Sequence, residues 1–99
     1  MKTMDISIKL ARFLDANGKL KQWPAKHAIR EEACAYTARQ FQDDRDYTEQ
    51  EVNAILASAH TFGDYFLIRR TMVDSGYLCR TPDGSRYWKN KEKQRSEGE

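Results

Sequence analysis

Cysteine, histidine and proline are scarce in this 99-residue chain, which contains two of each. Cys34 and Cys79 stand far apart, and neither belongs to a CxxC pair. A disulfide framework or a zinc site needs more cysteines or closer spacing, so we expect neither. Two isolated thiols are typical of a protein that stays reduced in the cytoplasm. His27 and His60 are too far from each other and from the cysteines to suggest any other metal site.

Long apolar runs and catalytic motifs are also missing. No stretch approaches the roughly 20 apolar residues that span a bilayer, and no apolar signal-peptide core follows the N-terminus. We therefore expect a cytoplasmic protein that makes no membrane contact. The sequence has no GxSxG, HExxH, P-loop or GxGxxG motif, and its aspartates form no paired-carboxylate motif. We expect no enzymatic activity, no cofactor and no metal.

The charge is uneven along the chain, although the net charge is only +2. Residues 1–30 hold seven Lys/Arg against two Asp/Glu, and residues 31–64 hold two against eight. Residues 65–99 hold eight against five. With 39% hydrophobic and 32% charged residues, the chain has the composition of one globular domain with a polar surface. The sign of each region therefore tells more about partners than the total does.

Four segments carry apolar residues at helical spacing, and local signals bound them. Asp15-Ala16-Asn17-Gly18 stops the first helix, and Pro24 starts the second. Thr48 and Glu51 have the spacing of a capping box. Either Thr61 or Asp64 caps the fourth helix, and Gly76 ends it. The predicted helices cover residues 4–14, 24–41, 48–60 and 64–75.

A β-hairpin follows the helices over residues 77–88. Aromatic and β-forming residues flank Pro82-Asp83-Gly84, in which glycine suits the left-handed position of a three-residue turn. Residues 89–99 contain no apolar side chain, so we expect a disordered tail after a single domain at 1–88. The expected fold is mostly helical α+β. Helix-turn-helix order followed by a hairpin is that of a winged helix, with the hairpin as the wing.

Several stretches of the chain also carry a family resemblance. They are Leu10–Asp15, Gly18–Pro24, Tyr47–Leu56, Asp64, Ile68–Arg70, Met72–Leu78 and Arg80–Trp88. In these stretches the sequence resembles a bacterial family catalogued as domain of unknown function 2087. That family has no established activity, and its domain occurs alone or attached to helix-turn-helix regulators. The resemblance implies a role in transcriptional control, either as the DNA-binding part or as a sensor or dimerisation part.

The candidate DNA-binding residues lie on the fourth helix and the hairpin. If Tyr65, Ile68 and Met72 face the core, Arg70 points outward and reaches a phosphate or a guanine edge. Arg69 lies at the side of the helix, where pairing with a carboxylate competes with nucleic-acid contact. The full predicted set is Arg69, Arg70, Thr71, Asp74, Arg80, Arg86 and Lys89.

Two functions remain open at this point. The first is a winged-helix transcriptional regulator that binds DNA, acting as a homodimer as regulators of this size usually do. The second is a protein-interaction, dimerisation or sensor domain on the same scaffold. Leu67, an apolar residue on the outward side of the fourth helix, and the acidic middle of the chain favour the second.

Overall fold

The structure, a computed structural model, describes residues 6–93. This part of the chain forms a small α+β domain with four helices and one three-stranded sheet. In chain order the elements are α1 (Ile8–Ala11), α2 (His27–Ala38), β1 (Asp46–Tyr47), α3 (Glu49–Ala57), α4 (Tyr65–Asp74), β2 (Leu78–Arg80) and β3 (Tyr87–Lys89).

The sheet has the strand order β1-β3-β2, and both pairings are antiparallel. The β2–β3 hairpin pairs Cys79 with Trp88, and β1 adds Tyr47 opposite Tyr87. Gly84 closes the hairpin turn with a φ of 74°, as the Pro-Asp-Gly pattern predicts. The strand that precedes α3 is therefore joined to the last strand of the domain.

The start of α3 is fixed by the predicted capping box. The Thr48 hydroxyl accepts a hydrogen bond from the Glu51 N–H at 3.1 Å, and the Thr48 N–H donates to the Glu51 carboxylate at 2.9 Å. Tyr47 and Val52, on either side of the cap, are both buried in the main core. They form the hydrophobic staple that sets the angle between β1 and α3.

Both ends of α4 are closed by local hydrogen bonds. The Asp64 carboxylate accepts from the Leu67 N–H at 3.1 Å, which selects Asp64 over Thr61 as the cap. At the other end Gly76 has a φ of 85°, and the Tyr77 N–H donates to the Met72 carbonyl at 2.8 Å. This Schellman-type ending turns the chain directly from α4 into β2.

The core has two connected parts. The larger one joins α2, α3, α4 and the sheet, and the smaller one packs α1 and the following turn against α2. The fully buried residues of the smaller part are Leu10, Leu20 and Ala33, and Trp23 and Phe62 contact both parts. Within residues 6–93 no helix is long and apolar enough to cross a bilayer.

The first two helices are shorter than predicted. Helical structure over residues 4–14 is confined to Ile8–Ala11, because the chain bends back after it and Leu14 pairs with Leu20. Residues 4 and 5 of that prediction lie outside the described residues. In place of the predicted 24–41, α2 begins at His27, since the segment before it is extended and Pro24 is buried.

The C-terminal boundary also differs from the prediction. Lys89 belongs to β3, and the Asn90 side chain donates to the Gly76 carbonyl at 2.8 Å. Residues 91–93 form a helical turn, so the prediction of a disordered tail from residue 89 is wrong for 89–93. Its remainder, residues 94–99, lies outside the described part. β1 (Asp46–Tyr47) lies between the second and third predicted helices, where no strand was predicted.

Candidate nucleic-acid interface

A groove of about 270 Å³ runs between α4 and the β2–β3 hairpin. We call it the α4–hairpin groove. It is lined by Phe66, Arg69, Arg70, Val73, Asp74, Arg80 and Tyr87. Four of the seven predicted DNA-contacting residues therefore meet here, on two elements that the Gly76 turn joins: Arg69, Arg70, Asp74 and Arg80.

Arg70 occupies the outer face of α4, opposite the buried Ile68 and Met72. Its side chain is 71% exposed, and its Nε lies 3.9 Å from the Asp74 carboxylate one helical turn away. An exposed pair at that distance is weak and costs little to break. Arg70 can therefore exchange Asp74 for an incoming anion.

Arg80 reaches the same groove from the end of β2. Its Nε donates to the Thr81 carbonyl and its Nη2 to the Pro82 carbonyl, both at 3.2 Å. The guanidinium also lies 5.9 Å from the centre of the Tyr87 ring. Among residues 6–93 no carboxylate forms an ion pair with it. Backbone carbonyls thus hold the group in place without neutralising its charge.

Arg69 has the structural role that its position on the helix indicated. It forms an ion pair with Glu49 at 3.3 Å and donates a hydrogen bond to Asn53. Its guanidinium also lies 5.1 Å from the Phe66 ring, and its side chain is only 13% exposed. Arg69 therefore ties α4 to α3 and has no free donor face of the kind that Arg70 presents.

Thr71 does not line the groove. Its hydroxyl donates to the Leu67 carbonyl at 2.8 Å within α4, and the residue is half-buried. Asp74, by contrast, does line the groove beside Arg70. Its carboxylate would repel a phosphate, although it could accept a hydrogen bond from a cytosine amino group.

Arg86 and Lys89 line a different groove, on the side of the hairpin that faces the α2–β1 loop. Its lining residues are Asp44, Arg45, Asp46, Thr81, Arg86, Trp88, Lys89 and Lys91. Arg86 lies 3.4 Å from Asp46, and the Lys89 ammonium lies 3.2 Å from Asp43. Lys89 also donates to the Phe41 carbonyl at 3.1 Å, and its side chain is only 11% exposed. The predicted cations are therefore divided between two grooves, and those in the second are paired.

Apolar side chains are exposed at the start of α4. Phe66 is 55% exposed, Tyr65 40% and Leu67 37%. The helical spacing predicted that Leu67 points outward, and this is confirmed. It also predicted that Tyr65 faces the core, and this prediction is wrong. The exposure of Phe66 was not predicted from the sequence. Its place between Tyr65 and Ile68, two residues of the predicted core face, puts it off that face and could have identified it as an exposed apolar residue.

Cys34 and His60 are buried residues, and neither lines either of the two grooves described above. Burial raises the pKa of the Cys34 thiol to about 12, so the reactive thiolate form is suppressed. His60 is buried, with Nδ1 2.7 Å from the Leu56 carbonyl and Nε2 accepting from the Asp64 N–H at 2.8 Å. In residues 6–93 no group of three or more His, Cys, Asp or Glu side chains is placed to hold a metal ion.

Comparison with known protein families assigns the chain to a bacterial family. The family described as "Uncharacterized protein conserved in bacteria (DUF2087)" matches residues 19–89. This range contains the α4–hairpin groove, all of the predicted site residues and every lining residue of the second groove except Lys91. No curated protein and no solved structure matches the chain.

Proposed function

Since the chain belongs to this DUF2087 family of uncharacterised bacterial proteins, we propose from its own geometry that it is a winged-helix protein that binds duplex DNA. In this proposal α4 is the recognition helix and the β2–β3 hairpin is the wing. The element order α2-β1-α3-α4-β2-β3 and the placement of β1 beside β3 support the winged-helix assignment. The proposed biological role is that of a transcriptional regulator.

The meeting of Arg70 and Arg80 in one groove carries the proposal. Arg70 projects from the face of α4 that would enter a major groove, and Arg80 stands at the base of the wing. A guanidinium on the helix can form two hydrogen bonds with a guanine edge, while one on the wing neutralises a phosphate. Neither is held by a strong ion pair among the described residues.

A salt series with a labelled mixed-sequence duplex tests the proposal. Each arginine–phosphate contact contributes about −0.9 to the slope of log affinity against log salt. In fluorescence anisotropy, Arg70→Ala/Arg80→Ala should weaken binding by about 30-fold or more and make that slope shallower by about one to two units.

Arg45→Ala/Arg86→Ala is the matched control, since it removes the same charge from the other groove. Both of these arginines already lie within 3.4 Å of a carboxylate. We expect the control to lose less than about threefold. Equal losses in the two double variants, or no binding above micromolar affinity at low salt, would contradict the assignment of DNA to the α4–hairpin groove.

The second candidate function is a protein interface on the same scaffold, and one observation favours it. Tyr65, Phe66 and Leu67 form an exposed apolar surface next to Arg70. Aromatic residues beside an arginine are typical of interface centres. If this surface holds a second copy of the chain, Phe66→Ser should shift sedimentation from dimer to monomer, and the DNA assays should stay negative.

A further inference from the structure

The cations that stand free of carboxylates are concentrated in a region that the proposed function does not use. The six lysines and arginines between positions 6 and 30 form no ion pair with any carboxylate among residues 6–93. They are Lys9, Arg12, Lys19, Lys21, Lys26 and Arg30. In contrast, Arg69, Arg70, Arg86 and Lys89 each have an acidic partner.

Three of these free cations surround a groove between α1 and the start of α2. One part of it, of about 400 Å³, is lined by Lys9, Arg12, Phe13, Gln22, Lys26 and Ile29. The adjoining part, of about 470 Å³, is lined by Ser7, Ile8, Lys9, Lys26, Ala28, Ile29 and Glu32. Because the two parts share Lys9, Lys26 and Ile29, they form one surface, which we call the α1–α2 groove.

The single carboxylate of the α1–α2 groove is already occupied. Glu32 accepts from the Ser7 N–H at 2.9 Å and from the Ser7 hydroxyl at 2.8 Å. These bonds hold the start of α1 against α2, so the carboxylate belongs to the packing of the two helices. Lys9 and Lys26 are left without a described acidic partner on either side of the groove.

Apolar side chains form the remainder of the surface. Ile29 and Phe13 are half-buried, and Ile8 is 76% exposed, the largest exposure of any large hydrophobic residue described. An isoleucine so exposed contributes little to the stability of the monomer, because burial of apolar area is what stabilises such a residue. The groove thus combines apolar walls with unneutralised positive charge at its rim.

We propose that the α1–α2 groove binds an acidic amphipathic peptide segment of a partner protein. An apolar side chain of the peptide would enter between Ile8 and Ile29, and its carboxylates would meet Lys9, Arg12 and Lys26. Apolar anchors set in a groove with complementary charge around them are a recurring mode of peptide recognition. A phosphate backbone fits less well, since it has no apolar group to place against the isoleucines. This inference does not depend on DNA binding at α4.

The test uses the full chain and a labelled probe peptide. In the probe, leucines recur at i and i+3 and glutamates fill the other positions; a second peptide has glutamine in place of every glutamate. We expect the glutamate peptide to bind at least tenfold more tightly in fluorescence anisotropy, with an affinity that falls as salt is added.

Two matched double variants locate the binding surface. Lys9→Glu/Lys26→Glu should weaken binding of the glutamate peptide at least tenfold, because it reverses charge within the groove. Lys19→Glu/Lys21→Glu makes the same change of net charge at residues that do not line the groove, so its loss should stay under threefold. Ile8→Ser should weaken binding at least threefold, while circular dichroism shows the fold unchanged.

Three results would overturn the proposal. The first is equal affinity for the glutamate and glutamine peptides, and the second is an equal loss in the two lysine double variants. The third is displacement of the peptide by duplex DNA together with loss of DNA binding in Lys9→Glu/Lys26→Glu, which would make the groove a nucleic-acid surface. Failure of the DNA assays with Arg70 and Arg80 variants leaves these outcomes unaffected.

Discussion

His60 is a buried polar residue whose two ring nitrogens both have backbone partners. Since Nε2 accepts the Asp64 N–H, the hydrogen lies on Nδ1 and is donated to the Leu56 carbonyl. The ring also packs edge-on against Phe62, with 4.5 Å between ring centres. One neutral imidazole thereby closes the end of α3 and fixes the turn that leads into α4.

Replacing this ring should be costly. His60→Ala leaves the Asp64 N–H without its acceptor and opens a cavity beside Phe62, so we expect a loss of about 2–3 kcal/mol in the free energy of unfolding. His27 is the matched control, because its side chain is 77% exposed and its one ionic contact, to Glu31, is 3.9 Å long. His27→Ala should change stability by less than about 0.5 kcal/mol. Urea unfolding of both variants measures the difference, and similar values would show that the His60 bonds contribute little.

The hairpin turn is the element whose stability should depend on acid pH. The Ser85 N–H, at 3.0 Å, and the Thr81 hydroxyl, at 2.8 Å, donate to the Asp83 carboxylate and lower its pKa from 3.8 to about 2. A carboxyl group whose pKa is lowered in the folded protein stabilises the fold at any pH above the pKa it has in the unfolded chain. This contribution is lost as the pH falls from that pKa through the lower pKa of the folded protein. The contribution of Asp83 should therefore disappear between pH 3.8 and about 2.

The contribution of Asp83 is measured by comparing the free energy of unfolding of Asp83→Ala with that of the unchanged chain from neutral pH down through this acid range. The variant should be less stable near neutral pH, and the difference between the two proteins should narrow as pH falls toward 2. Asp15, whose pKa the Lys19 N–H lowers, titrates in both proteins and so cancels from the difference. A gap that stays constant down to pH 2 would show that the turn does not depend on the charge of Asp83.

Helix ends that depend on neighbouring residues could be predicted from the sequence. A strand that forms only by pairing with a segment far along the chain could not. The cap of α3 at Thr48 and the end of α4 at Gly76 depend on residues within one turn of each other. β1, in contrast, is two residues long and exists through its pairing with Trp88 and Tyr87. Nothing in Asp46–Tyr47 itself indicates that pairing, so no strand could be predicted there.

The same distinction separates the predicted site residues. The outward direction of Arg70 follows from the helical period alone, and it is confirmed. The partner of Lys89 is Asp43, on the loop before β1, and the partner of Arg86 is Asp46, in β1 itself. Both carboxylates come close only through the β1–β3 pairing. The prediction that both residues bind DNA rested on charge and sequence position, which do not show a neutralising partner from another element.

Across the whole molecule, ion pairs neutralise the basic residues of some regions and leave those of others unpaired. The acidic loop around Asp43 and Asp44 neutralises Lys89 and Lys91 of the C-terminal segment. Among the described residues, Lys9, Arg12 and Lys26 of the basic N-terminal region form no such ion pair. Positive charge therefore remains available at two places, the α4–hairpin groove and the α1–α2 groove, and the overall net charge of +2 hides this arrangement.

The last described residues close the fold, which predicts where the chain can be shortened. Asn90 bonds to Gly76 through its side chain and to the Tyr77 carbonyl through its N–H at 3.1 Å, while Lys89 bonds to Phe41 and Asp43. The two hydrogen bonds of Asn90 and the bond from Lys89 to Phe41 contribute roughly 1 kcal/mol each. Their removal should therefore cost about 3 kcal/mol of a total stability of about 5–15 kcal/mol. A chain ending at residue 88 should therefore unfold at a much lower urea concentration than one ending at residue 93. Lys89→Ala/Asn90→Ala in the full chain should reproduce most of that loss, and the idea fails if both shortened chains unfold together.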